Sequence, residues 1–128
     1  MQLMKHESLV INGDGTNSRD FTYIDNVLQM NELALATTNP KAIGEVFNTA
    51  VGERTDLNQL LSLLKAFLAK HAPQIANIEI IHGPDKKGDI PHSLASIDKA
   101  KTMHDYVASH NLEKGLKKAV EWYCEYLR

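Results

Sequence analysis

The stretch "GDGTNSRDF", residues 13–21, decides how this chain is read. Two glycines flank an acid, and a polar run then leads to an arginine and an aromatic residue. Three readings stand: a loop cradling a cofactor's phosphates, a turn between strands, or a grip on a substrate anion. The pattern G-x-x-x-x-G-K-[ST] is missing, so the stretch is not a P-loop. A G-x-G-x-x-G run that opens a helix is missing too, so it is not a dinucleotide fingerprint. "FTYI" (21–24) reads as a short strand. A strand after the loop removes the helix N-terminus that would face a cofactor phosphate. Arg19 offers a planar fork of donors that matches phosphate oxygens in pairs. The plainer alternative is that Arg19 pairs with Asp14 or Asp20 and only fixes the turn, and spacing alone favours it.

Outward from this stretch the pattern alternates. "SLVI" (8–11) is a β-like run closed by the turn signal Asn12-Gly13. Asp25 is placed to cap a helix running to about Thr38, which Asn39-Pro40 then ends. "EVFNTAV" (45–51) is β-rich and expected to be buried. Thr55 is placed to cap a helix in which Leu57, Leu60, Leu61, Leu64, Phe67 and Leu68 keep helical spacing, with Pro73 beyond its end. "NIEIIH" (77–82) predicts another strand, and "GPDKKGDIPHS" (83–93) a loop. Ser96 is placed to cap a helix from Ile97 to about Tyr106. Leu112, Leu116, Ala119, Val120, Tyr123 and Leu127 predict a last amphipathic helix, with Trp122 and Tyr123 read as core. Strand alternating with helix argues for an α/β fold in one domain, residues 1–128.

Bulk properties exclude several functions. Fourteen basic residues against 16 acidic ones give a formal net charge of −2, without the basic face a nucleic-acid binder needs. The lone cysteine, Cys124, rules out an internal disulfide and a zinc–thiolate cluster, and fits a reducing, cytoplasmic setting. No apolar run approaches the roughly 18 residues of a membrane span, and "MQLMKHES" is not a signal peptide. The six histidines make no metal pattern, and no G-x-S-x-G elbow occurs, so neither a metal site nor nucleophilic catalysis is expected. The second polar loop, "DKKGDIPHS", sets Lys86 and Lys87 beside Gly88 and Asp89. That set suits a phosphate and a ribose hydroxyl, although composition alone favours a solvated turn.

Four segments taken together carry a resemblance. "INGDGTNSRDFTYIDNV" (11–27), "VFNTAVGERTDLNQLL" (46–61), "GPDKKGDIPHSLASIDKAK" (83–101) and "GLKKAVEWY" (115–123) occur in one order. That order resembles the carboxyl-terminal part of NAD-dependent sugar-nucleotide epimerases and dehydratases, which are extended short-chain dehydrogenase/reductases. The nearest likeness is to UDP-N-acetylglucosamine 4-epimerases. It implies a small α/β sugar-nucleotide-binding lobe without the Rossmann half. In that family the Rossmann half binds NAD and carries the catalytic tyrosine and lysine. Neither a glycine fingerprint nor a Y-x-x-x-K is found here, so the chain looks like about the last third of such an enzyme, with no catalytic, cofactor or metal residues of its own.

Carried over by position, Val10, Ile11 and Asn12 would lie along the uracil and ribose of a UDP-sugar. Arg19 would hold the diphosphate. Lys86 stands where the family has an arginine on the diphosphate, and Asp89 where an acid meets the ribose. Ser93 would sit beside the sugar, its small size leaving room for an N-acetyl group; its other reading is a helix-entry serine. Two positions depart from the family. Lys86 keeps the charge but loses the fork. His104-Asp105-Tyr106-Val107-Ala108 replaces Leu-Gly-Tyr-any-Pro, so an aspartate stands where a glycine would suit a left-handed helix cap. The resemblance further implies a UDP-sugar as partner, no membrane or nucleic acid, and self-association through the face a Rossmann half would cover. A relic or interaction module that keeps the fold without the function is the rival reading.

Overall fold

The computed structural model describes residues 2–126. Within them, four helices surround two small sheets. β1 (Leu9–Asn12) pairs in parallel with β4 (Ile80–Gly83), so that Leu9 faces Ile80 and Asn12 faces Gly83. β2 (Ser18–Arg19) pairs antiparallel with β3 (Thr55–Asp56). The helices are α1 (Ile24–Ala36), α2 (Leu57–Leu68), α3 (Asp98–His104) and α4 (Leu112–Tyr126). The expected α/β class is what forms.

Two apolar clusters hold these elements. In one, Phe67 and Leu68 of α2 meet Val120 and Cys124 of α4, with Leu3 and Ile75 closing the ends. The helical spacing of the leucine-rich run produces this packing, and Asp56 starts the helix by accepting from the Gln59 N–H at 2.8 Å. The cap is therefore Asp56 and not Thr55, which lies one residue farther from the helix. In the second cluster, Met30 of α1, Ala50, Ile97, Ala100 and Tyr106 pack together. The Tyr106 ring is fully buried, and its hydroxyl donates to the Ala50 carbonyl at 2.9 Å. Burial raises the Tyr106 phenol above its usual range, and Asp20 adds to the effect.

Several expected elements differ. Residues 21–23 form no strand. The ladder lies earlier, at Ser18–Arg19, where β3 and the Pro91 carbonyl supply partners, and Tyr23 packs instead on His110 and against Gly115. Tyr23, not Asp25, occupies the cap of α1; Asp25 lies in its first turn. "EVFNTAV" is not a buried strand: it runs without a ladder, and Val46 is 84% exposed. Side chains take its backbone groups instead. Asp20 accepts from the Val51 and Gly52 N–H groups, and Lys99 donates to the Val46 carbonyl. Trp122 and Tyr123 are not core either. Val120 and Cys124 turn inward, which leaves Trp122 half-exposed against the Tyr123 and Tyr126 rings. Leu127, expected on the same stripe, lies outside the described residues. The α3 helix begins at Asp98, whose carboxylate accepts from the Ser96 hydroxyl.

One polar junction ties α1 to the entry of α4. Asn26 is fully buried; its Nδ2 donates to the His110 carbonyl at 2.8 Å, and its Oδ1 accepts from the His110 N–H and the Ser109 hydroxyl. Gly115 is glycine because a Cβ there would sit 2.6 Å from the Cβ of Tyr23. Burial holds the His110 imidazole below the usual histidine value; Lys118 and Lys114 act in the same sense and Asp25 opposes them. A depressed histidine favours the fold above its unfolded value, about 6.5, and loses that contribution as pH falls toward the folded value. Urea midpoints are therefore expected to drop as pH is lowered from 7.5 to 5, and His110→Gln to flatten that part of the profile. A wild-type midpoint that is constant over this range would contradict the assignment.

Candidate functional site

The polar loops meet at the end of the β1–β4 pair. β1 runs into Gly13, whose N–H donates to the Gly83 carbonyl at 3.0 Å. Gly13 and Gly15 both hold positive φ, of 73° and 79°. A side chain at Gly13 would run into the Asp85 carboxylate, and one at Gly15 into Asn58. Both glycines are thus required by a close approach as well as by the turn. Asp14 closes the turn by accepting from the Thr16 hydroxyl at 2.6 Å and the Thr16 N–H at 2.9 Å. The Thr16 hydroxyl and then its N–H pull the Asp14 carboxyl below its usual range, and His82 adds a smaller pull. Asn58 of α2 donates to the Asp14 carbonyl, fastening the turn to the helix entry.

After the turn comes a strand, β2, held on both edges. Ser18 pairs with Asp56 on one side; on the other its N–H donates to the Pro91 carbonyl at 2.8 Å and its carbonyl accepts from the Ser93 N–H at 3.0 Å. This brings the second polar loop against the first. Arg19 Nη2 then lies 2.8 Å from Asp89 Oδ1, and Asn17 Nδ2 lies 3.0 Å from Asp89 Oδ2. The expected turn partners of Arg19 are engaged elsewhere, Asp14 with Thr16 and Asp20 with Val51 and Gly52. Arg19 is therefore an ion-pair partner, as the plainer reading held, but of an acid 70 residues away. Its Nη1 donates to the Ser18 and Pro91 carbonyls.

The two loops border an open cavity of about 810 Å³, lined by Gly13, Asp14, Thr16, Asn17, His82 and Gly83 and, from the second loop, by Pro84, Asp85, Lys86, Asp89 and Pro91. Of the residues singled out from sequence, Lys86 and Asp89 line it directly. Arg19 reaches it through Asp89, and Val10, Ile11 and Asn12 lead into it along β1. Ile11 is buried; Val10 and Asn12 are exposed. Ser93 is anchored to Ser18 and lies well before α3, so it is not a helix-entry serine. Sequence reading passed over Asn17, His82 and Asp85. Nothing in the linear pattern marks His82; only the β1–β4 register brings it beside the Gly13 turn. Among the described residues, no group of three or more His, Cys, Asp or Glu is placed to hold a metal ion, and no helix is long and apolar enough to cross a membrane.

Comparison with known proteins agrees with this fold. Residues 1–50 match the model of the NAD dependent epimerase/dehydratase family. The structure of UDP-glucose 4-epimerase from Thermotoga maritima, solved with UDP-glucose, superposes with a TM-score of 0.83 at 33% identity, over 99% of this chain and 38% of that one. The chain is similar to the NAD-dependent epimerases and dehydratases. UDP-glucuronic acid 4-epimerase from Bacillus cereus, solved with UDP-glucuronic acid and NAD, gives 0.81 at 29% identity, over 97% of this chain and 37% of that one. UDP-N-acetylglucosamine 4-epimerase from Methanobrevibacter ruminantium, solved with UDP-N-acetylmuramic acid, gives 0.80 at 28% identity, over 96% and 36%. The chain spans about a third of the length of the curated relatives it matches. The Gly13–Gly15 turn leads into β2 and not into a helix N-terminus, so this turn is not the helix-borne phosphate cradle of a dinucleotide fingerprint.

The turn itself is open to test. Gly13→Ala forces a Cβ into the left-handed region and against Asp85. A loss of about 1–2 kcal/mol is expected from the backbone term alone, read as a lowered urea midpoint, with NMR shifts spreading to residues 83–86. An unchanged midpoint would remove the steric argument.

Proposed function

We propose that this chain holds the nucleotide end of a UDP-sugar, as the substrate-binding portion of an epimerase of the UDP-N-acetylglucosamine 4-epimerase kind. The observation that carries this reading is the convergence of Arg19, Lys86 and Asp89 at the mouth of one cavity, where β1 ends. Asp89 has its carboxylate oriented by Arg19 and Asn17, as an acceptor for ribose hydroxyls requires. Lys86 lines the same cavity and supplies a compact positive charge to a phosphate. A guanidinium carries five N–H donors. In Arg19 the Ser18, Pro91 and Asp89 contacts use three of them, leaving two for a diphosphate oxygen. Exposed Ser93 leaves space beside the loop, which favours an N-acetylated sugar over a bulkier neighbour. Binding the nucleotide remotely would position the hexose for chemistry performed elsewhere.

Asp14 and Asp85 also line the cavity, so a diphosphate meets carboxylates as well as Lys86. Affinity for UDP is therefore expected in the millimolar range, near −4 kcal/mol. Arg19→Ala should weaken it by about tenfold or more, because it removes a charge-assisted donor and frees the Asp89 carboxylate. Calorimetric or NMR titration checks this; no UDP binding at any workable concentration would favour the relic. The purified chain with added NAD should not interconvert UDP-N-acetylglucosamine and its C4 epimer, and measurable turnover would refute the binding-only assignment.

A second reading, an interaction module, draws on one specific feature. Ile24, Leu28 and Leu35 form an exposed apolar stripe on α1, and Ile43 and Val46 are exposed as well. Such surface favours self-association. Light scattering at high concentration should show species larger than the 14.3 kDa monomer; a clean monomer would count against it.

A further inference from the structure

His82 has a role that its exposure alone does not explain. It lies on β4 opposite Ile11, and its ring lines the cavity beside Gly13, Asp14 and Asp85. Its Nδ1 lies 3.1 Å from the Gly13 carbonyl oxygen. A carbonyl oxygen only accepts, so Nδ1 must carry the proton. In the neutral ring the other nitrogen, Nε2, then bears a lone pair. The same bond prevents the ring from flipping without loss, so tautomer and orientation are fixed together. Two of the cavity's carboxylates are already engaged, Asp14 with Thr16 and Asp89 with Arg19 and Asn17, and the third, Asp85, lies against Gly13. In that neutral form Nε2 is an acceptor for which the described residues supply no hydrogen-bond partner.

We propose that His82 is a nucleoside-recognition residue, presenting Nε2 as a fixed acceptor to a donor on the nucleotide, either the imide N–H of the base or the ribose 2′-hydroxyl. The inference rests on the cavity being the nucleotide site. It differs from phosphate binding in a way that can be measured. A neutral acceptor does nothing for a phosphate, so removing it should weaken UDP binding and leave inorganic pyrophosphate alone.

The variants separate recognition from fastening. His82→Asn places an amide N–H near the Nδ1 position, able to keep the Gly13 bond, and deletes Nε2. His82→Gln places an amide oxygen near Nε2. His82→Phe removes both nitrogens. NMR titration of the purified chain with UDP should show His82→Asn and His82→Phe weakened about threefold to tenfold, the span of one hydrogen bond. His82→Gln should recover part of the loss, and pyrophosphate affinity should stay within twofold throughout. Equal loss for UDP and pyrophosphate would mean that His82 only fastens the turn, and would overturn the proposal. So would UDP binding that is insensitive to all three variants. Failure of the unmodified chain to bind UDP would overturn both this inference and the nucleotide reading. Titration with 2′-deoxy-UDP and with 3-methyl-UDP names the donor. The analogue lacking it should bind wild type and His82→Asn alike; if neither analogue does so, the assignment to these two donors is wrong.

Discussion

Ser18 is the point on which the site depends. Its backbone N–H and carbonyl are both bonded to the Pro91–Ser93 segment, the preceding Asn17 carbonyl accepts from the Leu57 N–H at the end of β3, and the Ser18 hydroxyl lies 2.9 Å from His92 Nδ1. With Ser18 clamped, the guanidinium of the next residue, Arg19, meets Asp89. The ion pair is half-exposed, so its contribution to stability is small. Its effect is geometric: it fixes a carboxylate and a guanidinium at one edge of the cavity, while the buried clamp supplies the stability.

Much of this was legible in the sequence, and the parts that were not share a cause. Helices α2 and α4 follow from apolar spacing, and β1 from a β-rich run closed by Asn-Gly. The turn was legible because only glycine suits its positive φ. What failed were assignments that depend on a partner strand. "FTYI" and "EVFNTAV" have the composition of strands, yet a strand exists only where another backbone meets it. Ser18–Arg19 has no strand-like composition and pairs because Thr55 and Pro91 lie alongside. The site shows the same division. Arg19, Lys86 and Asp89 could be named from residue chemistry and family likeness. The Arg19–Asp89 contact and the place of His82 depend on register and could not.

Asp105 illustrates how a departure from family pattern is absorbed. It adopts the left-handed conformation, φ 51° and ψ 30°, that closes α3, and its N–H donates to the Ala100 carbonyl. Aspartate tolerates this region better than most residues, although its charge sits at the unfavourable end of the helix dipole. Backbone geometry is thus kept while some local stability is given up. Tyr106, the next residue, still reaches the core and the Ala50 carbonyl.

The aromatic group on α4 has a practical side. Trp122 is the chain's single tryptophan, and it sits half-exposed between Tyr123 and Tyr126 and is not among the residues lining the cavity. Its emission will therefore follow the integrity of that helix and energy received from two adjacent tyrosines. Ligand arriving between the polar loops will leave the signal nearly unchanged. For this chain, intrinsic fluorescence is a thermometer of the α2–α4 core and a poor witness to the site.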